Sequence, residues 1–569
     1  LSVLLGLSVG LAAEGCSSSD GEPHTVAPTL QVDAGAKTAD AGATPVAVDP
    51  QVQVDAGAAD SAAPDAHAPT PTPTPTQSVE AGVDAFVCDG SKDPSAEPCV
   101  ISEAYGVFIA PGGSDASGDG TRAAPWRTFT YALSKVTGPH PRIYACSGTY
   151  AESVTVAAAN DGVSIYGGFS CPSSPGSTDW MYAGTRALVA PSAAGYALMV
   201  SGLTTGLHVE DMAFTSIDAD PATPGASSIA VLVSSSSNVS FSRVSGTSGA
   251  GTAGLAAAAL TASNWGSASN AAGAPGGFDG TGGAGGTLTC AGATSTSQGG
   301  VGGVSSLTPT AGGPGTDSPG LNGIVGGAGG LPIHVPSPHR VDGCAVGSPG
   351  PAGPAVNGGV AAGYGALTAN GFVPATASAG YDGYVGEGGG GGGGYFSGQG
   401  GGGGGAGGCG GLGGLGGTSG GASFAFAVID SQVAFAAVDL YPGAGGSGGA
   451  GSAGEPGQPG SPGAAGPNDS FVAACGGGAG GGGAGGGGGG GGSGGPSAGI
   501  AWTGAIEPTV DGTMVMPNMS VGNPSTFRPG ATSIEGAGGS GGAHGDPTQA
   551  PSLPGQAGFP GYSAPVLGL

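Results

Sequence analysis

Two pairs of acids, Glu210 with Asp211 and Asp218 with Asp220, stand close enough in the chain to share chemistry. Carboxylates held at a fixed separation divide the acid and base roles in glycoside hydrolysis. Neither pair recurs at a spacing that would enlarge it, and a solvated strand face and a turn account for them equally well. His208 precedes Val209 in an alternating run, so it turns away from the apolar side as a surface imidazole. His334 and His339, in PIHVPSPHR, are interrupted by prolines and have no recognised metal spacing. The loop GGSDASGDGT offers Asp115 and Asp119, which could hold calcium together with loop carbonyls. It serves equally as a turn whose Asp side chains bond nearby amides. No P-loop or nucleophile elbow is present, GxGxxG matches carry no weight inside glycine tracts, and no catalytic residue is assigned.

The composition limits what can surround these residues. With 131 Gly, 46 Pro and 8% charged residues, much of the 569-residue chain cannot be ordinary packed core. A net charge of -27 repels phosphates and anionic headgroups, which argues against nucleic acid as a partner. The same acidity keeps a glycine-rich chain soluble. Apart from Cys16, the cysteines are Cys88, Cys99, Cys146, Cys171, Cys290, Cys344, Cys409 and Cys475. An even set in an exported chain implies disulfides, with Cys88–Cys99 and Cys146–Cys171 as the local candidates.

Export is itself read from the first residues. The apolar run 1–13 is too short to span a bilayer and suits a signal peptide core. Cys16, followed by Ser17, Ser18 and Ser19, resembles a bacterial lipoprotein junction, although Ala13 stands where such junctions usually carry Leu. The resemblance implies lipidation of Cys16 and anchoring to an outer membrane or cell surface; ordinary secretion is the alternative. Residues 17–87 are Ala, Asp, Pro and Thr, with VDAG at Val32 and Val54 and TPTPTPT at 70–76. Such a stretch cannot offset its ordering entropy and reads as a disordered acidic tether. Acidic Asp-Ala-Gly tethers after a lipoprotein Cys resemble those of myxobacterial surface lipoproteins.

Order begins near Cys88. In VFIAPGGSDASGDGTRAAPWRTFTYALSKV, residues 107–136, a strand enters a Gly/Asp loop. A short helix follows with Phe129, Ala132, Leu133 and Val136 on one face. Gly113, Asp115, Gly120, Thr121, Pro125, Trp126, Thr128, Phe129, Ala132 and Leu133 match a pattern that resembles the start of pectate-lyase-like right-handed parallel β-helix proteins. The resemblance implies an all-β solenoid whose open end the helix covers. Repeats agree with it. GLHVEDM, NVSFSRV and QVAFAAV carry Leu207, Val209, Met212; Val239, Phe241, Val244; and Val433, Phe435, Val438, with the same spacing each time. A second alternating run precedes each. RIYACSGTY and VSIYGGF look like earlier coils, and Ile500 and Trp502 with Met514, Met516 and Met519 like a looser late one.

Between Val244 and Phe424 lie roughly 180 residues, yet closing that loop costs only about 3 kcal/mol more than a short turn, while burying three large side chains returns roughly 5–9 kcal/mol. The late coil is therefore expected to dock on the early ones. The sequence then divides into 1–16, 17–87, a capped β-helix at 88–245, a glycine-rich insert at 246–422, a coil at 423–441, a second insert at 442–497, a possible terminal coil at 498–530 and a Gly/Pro-rich tail at 531–569. The inserts are expected to be long, largely irregular loops. Their every-third-residue glycines have the period of polyproline II and polyglycine II, and GGAGG tracts resemble the glycine-rich domain of mycobacterial PE-PGRS proteins.

These readings imply a structural or adhesive surface protein touching polysaccharide, matrix or other cells. A carbohydrate-active enzyme, a lyase or glycoside hydrolase, is the alternative that the pectate-lyase-like resemblance brings. Lyases of that fold use Lys or Arg as base beside calcium-holding carboxylates; no Lys follows Lys135, which leaves arginines such as Arg142, Arg186 and Arg243. No cofactor beyond calcium is implied.

Overall fold

The structure, a computed structural model, describes residues 88–136, 141–171, 176–292, 295–316, 325–332, 345–395, 398–468, 473–516 and 522–569. Cys16, the tether, His334, His339, Cys344 and Met519 lie outside them.

The regular secondary structure of the described residues is mostly strand, with few helices. Three large sheets hold nearly all the strands, and their pairs are parallel except where two short strands fold back. The chain visits these sheets in rotation. From Arg142–Cys146 it passes to Thr149–Tyr150 in the second sheet, Val154–Val156 in the third, then back to Ser164–Ser170 in the first. The same circuit continues through Leu207–Glu210, Met212–Thr215 and Ser228–Ser234, then Val239–Ser242, Ser245–Thr247 and Ser423–Ile429. Val433–Ala436, Asp439–Tyr441 and Ser497–Thr503 follow, and Thr509–Val510, Thr526–Phe527 and Ser563–Gly568 complete the last circuit.

Parallel register places like residues above one another, and this builds the core. In the first sheet Ile165 pairs with Val209, Val209 with Phe241, Phe241 with Phe435, and Phe435 with Val510. In the third, Val154, Leu198, Val231, Phe426, Ile500 and Val566 form a second row. Phe241 and Phe435 stack with ring centroids 5.5 Å apart, and Phe426 meets both edge-on. Met212, Val244 and Val438, the third member of each repeat, are buried in the same cluster. The helix Phe129–Lys135 lays Phe129, Ala132 and Leu133 on its early end.

Tight corners recur at fixed places. Asp211, Arg243 and Ala437 each turn the chain from first to second sheet in the left-handed backbone region, with φ of 53°, 51° and 51°. A residue with a side chain is strained there, so the same conformation in three successive circuits indicates that stacking imposes it.

The glycine-rich inserts grow from one corner only. The link from second to third sheet is residues 151–153, then 190–197, then 216–227; in the next three circuits it is 248–422, 442–496 and 528–562. Most of each long link is neither helix nor sheet, but the expectation of largely irregular loops is corrected. Segment 475–495 shows the arrangement. Every third amide donates to one neighbour: Gly480, Gly483 and Gly486 to 455–461, Gly481, Ala484 and Gly487 to 381–387, and Gly488, Gly491 and Gly494 to 553–559. Its carbonyls accept on three other sides from 402–420, 347–362 and 536–545. Three residues per turn with all backbone bonds passing between segments is the logic of a polyglycine II bundle. Two short antiparallel hairpins, Thr287–Thr289 with Thr296–Gln298 and Gly365–Thr368 with Gly371–Pro374, sit in the first insert.

Two further expectations change. Met514 and Met516 are exposed, and the last circuit buries Val510 and Val515 instead, because the chain folds back at Thr513–Met514. The Gly/Pro-rich tail also contains a strand, Ser563–Gly568, parallel to Ser497–Thr503. Among the described residues no helix is long and apolar enough to cross a membrane.

Candidate functional site

The charged side chains gather on the outer face of the first sheet, near its corner with the second. His208 and Glu210 lie two apart on Leu207–Glu210, so strand alternation sends both outward while Leu207 and Val209 face the core. Asp211 follows at the corner and Arg243 occupies the same corner one circuit later. This stacking brings opposite charges together. Arg243 binds Asp211 through Nε to Oδ1 at 3.0 Å and Nη2 to Oδ2 at 2.8 Å, and also pairs with Oε1 of Glu210. Arg243 thus lies outside the apolar core and reaches back over the acids of the previous turn. Tyr182 donates to Asp211 Oδ2 at 2.7 Å.

A segment from before the first strand covers this face. Ser95 donates to Glu210 Oε1 at 3.0 Å, and Asp93 accepts the Tyr166 hydroxyl at 3.0 Å. Arg142 holds the same segment by donating to the carbonyls of Gly90 and Lys92 at 2.6 and 3.0 Å, with its guanidinium over the Tyr166 ring. The Cys88–Cys99 disulfide closes the segment into a loop. Glu210 is consequently 2% exposed and Asp211 3%, an unusual burial for carboxylates that the Arg243 pairing compensates. His208 Nε2 lies 3.4 Å from Glu210 Oε2 and 3.7 Å from Asp93 Oδ1. Burial pushes the imidazole below its usual range, the Asp93 carboxylate opposes this, and Arg243 and Arg142 reinforce it.

The other sequence candidates have local duties. Asp115 accepts the amides of Arg127 and Thr128 and the Thr128 hydroxyl, fixing the start of the helix, whose first amides also donate to Glu152. Asp119 accepts the amide and hydroxyl of Thr121, which lowers its carboxyl below the usual range. The loop thus makes the turn bonds that stood as the alternative to calcium. Asp218 accepts the Ala250 amide of the next circuit, and Asp220 the Ala222 amide within its own turn, so both have structural duties. Arg186 bonds Asp439 at 2.6 Å three circuits on. Cys146 is bonded to Cys171 and Cys290 to Cys409, and Cys475 is also disulfide-bonded.

A cleft of about 530 Å³ lies beside the Cys146–Cys171 disulfide, lined by Ser114, Ser117, Arg122 and Trp180 among glycines and alanines. The Trp180 indole donates to the Arg122 carbonyl, and Arg122 pairs with Glu103, whose carboxyl its guanidinium pulls down to about 2. The cleft offers shape and few free polar groups.

Asp93 as a neighbour of His208, and Ser95 and Tyr182 as partners of Glu210 and Asp211, carried no signal in the sequence. The His208–Glu210 spacing on a strand was the one visible clue. In comparisons with known proteins, no family model matches the chain and no curated protein matches it.

Proposed function

We propose that the chain is an exported, lipid-anchored cell-surface protein with a structural or adhesive role, displaying a right-handed parallel β-helix with glycine-rich loops. Rotation among three parallel sheets supports a solenoid, and disulfides across the described part fit an oxidising compartment. Lipidation at Cys16 rests on the resemblance of its junction, and the all-β solenoid of pectate-lyase type on the matched residues 113–133.

One observation carries the adhesive reading. In two segments of the bundle, glycines turn inward while large apolar side chains are left in water at multiples of three residues, Val301 and Val304 in one and Val325 and Leu331 in the other. Exposed apolar rows of this kind favour contact with another surface. The ordered bundle serves as a stiff arm displaying them.

The buried Glu210 and Asp211 beside Arg243 favour a second reading, a carbohydrate-active enzyme. Against it, each carboxylate is already bonded to Arg243 and to a hydroxyl, and Ser95 covers Glu210. Incubating the full chain with anionic and neutral polysaccharides separates the two. Retention on a polymer without unsaturated or reducing-end products supports adhesion; product formation that Glu210→Gln abolishes sinks it in favour of catalysis.

A further inference from the structure

We propose that Asp93, His208 and Glu210 form a binding site for a divalent cation of the zinc class, which clasps the disulfide-closed N-terminal segment to the first sheet. The inference is independent of the adhesive reading.

The argument is geometric. Ligand atoms about 2.0–2.2 Å from a shared ion at tetrahedral angles stand roughly 3.3–3.6 Å from one another. His208 Nε2 stands 3.4 Å from Glu210 Oε2 and 3.7 Å from Asp93 Oδ1, and the three ligand atoms all lie within 4.8 Å of one another. A direct charge-assisted hydrogen bond would instead draw nitrogen and oxygen to about 2.7–2.9 Å. The observed spacing suits an ion between the atoms better than a proton.

The surrounding bonds orient each ligand as metal sites require. His208 Nδ1 lies 2.8 Å from Ser240 Oγ on the adjacent strand; donation there leaves the Nε2 lone pair aimed at the carboxylates. Asp93 is steadied by the Tyr166 hydroxyl. Glu210 divides its oxygens, Oε1 taking Ser95 and Arg243 while Oε2 faces His208. The side chains of Asp93 and His208 are 46% and 28% exposed, so water can supply a fourth ligand. One nitrogen and two carboxylate oxygens suit zinc among common cations, whereas calcium prefers six or more oxygens. The other three-residue group, Cys88, Glu97 and Cys99, is dismissed because its sulfurs are bonded to each other.

The test uses the full chain, loaded with zinc chloride near neutral pH and dialysed, with retained metal measured per chain. About one equivalent is expected in the wild type and in His544→Ala, a control histidine that bonds the Gly353 carbonyl instead. His208→Ala and Asp93→Asn should lose it, and Asp93 is exposed enough for its variant to fold. Cobalt(II) in place of zinc should give the visible absorption of a tetrahedral site in the wild type and in His544→Ala, and not in His208→Ala or Asp93→Asn. Zinc should also slow proteolysis between residues 89 and 105 in wild type and not in Asp93→Asn. No retained metal in the wild type, or equal retention by His208→Ala, overturns the site and leaves the cluster as a hydrogen-bonded brace.

Discussion

Asp161 shows how single side chains lock one circuit to the next. Its carboxylate accepts the amides of Thr204, Thr205 and Gly206 and the Thr204 hydroxyl, all at the corner of the following circuit. The Gly206 amide first, then Thr205, hold its carboxyl well below the usual carboxylate range. Because the folded value is depressed, the contribution to stability is present above the unfolded value of about 4 and is lost as pH falls from there through the folded value. Asp161→Asn should therefore be less stable than wild type in urea at neutral pH, and the gap should close as the medium is acidified below about pH 4. A gap that stays constant across that range would assign the loss to shape rather than charge. The buried acids of the candidate site obey a different logic, since Glu210 and Asp211 are offset chiefly by Arg243 and removing that cation alone strands them.

Among elements, the glycine segments carry a requirement that composition disguises. None of the glycines between 399 and 503 has positive φ, so the backbone there is open to any residue. What forbids a side chain is space: a Cβ at Gly483 would overlap the Cys409 carbonyl oxygen, whereas one at Gly363 would meet nothing within 4 Å. Gly483→Ala should cost about 1–3 kcal/mol as overpacking. Gly363→Ala should be neutral or stabilising by up to about 1 kcal/mol, through the less flexible unfolded chain. Denaturant midpoints of the two variants check the contrast, and equal effects would mean the bundle tolerates side chains throughout. This contrast also marks how far the fold is legible in sequence. Val239 with Val433 and Phe241 with Phe435 are readable because large apolar residues at fixed offsets leave few ways to be buried. The bundle is only half readable, since a period of three announces its helix but every glycine looks alike, and nothing in GGAGG says which of six neighbours it will bond. The site is less legible still: Ser95 and Glu210 meet across 115 positions because one covers a strand that the other belongs to, and no local pattern encodes that.

For the whole molecule the question is whether the bundle hangs from the sheets or continues them. Hydrogen-bond register answers for continuity. Ser423 pairs with Ser497 and Ser497 with Ser563; three residues upstream Gly420 donates to Ser493, and Gly494 donates to Phe559, with nearly the same offsets. On the outgoing side, Ser245 pairs with Asp439, and Gly251 donates to Ala444. Strands that stack in parallel thus feed segments that stack in parallel, and the bundle inherits its alignment from the circuits that precede it. The Cys290–Cys409 bridge adds a constraint inside the first insert, worth at most about 5 kcal/mol for a loop of 119 residues by chain-entropy scaling. If register is shared, opening is shared. Amide hydrogen exchange followed by mass spectrometry should give segment 475–495 and the strand Ser497–Thr503 the same free energy of opening, as one cooperative unit. Glycine amides that exchange far faster than the strand would show a bundle melting by itself, and a stiff arm could not then be built on it.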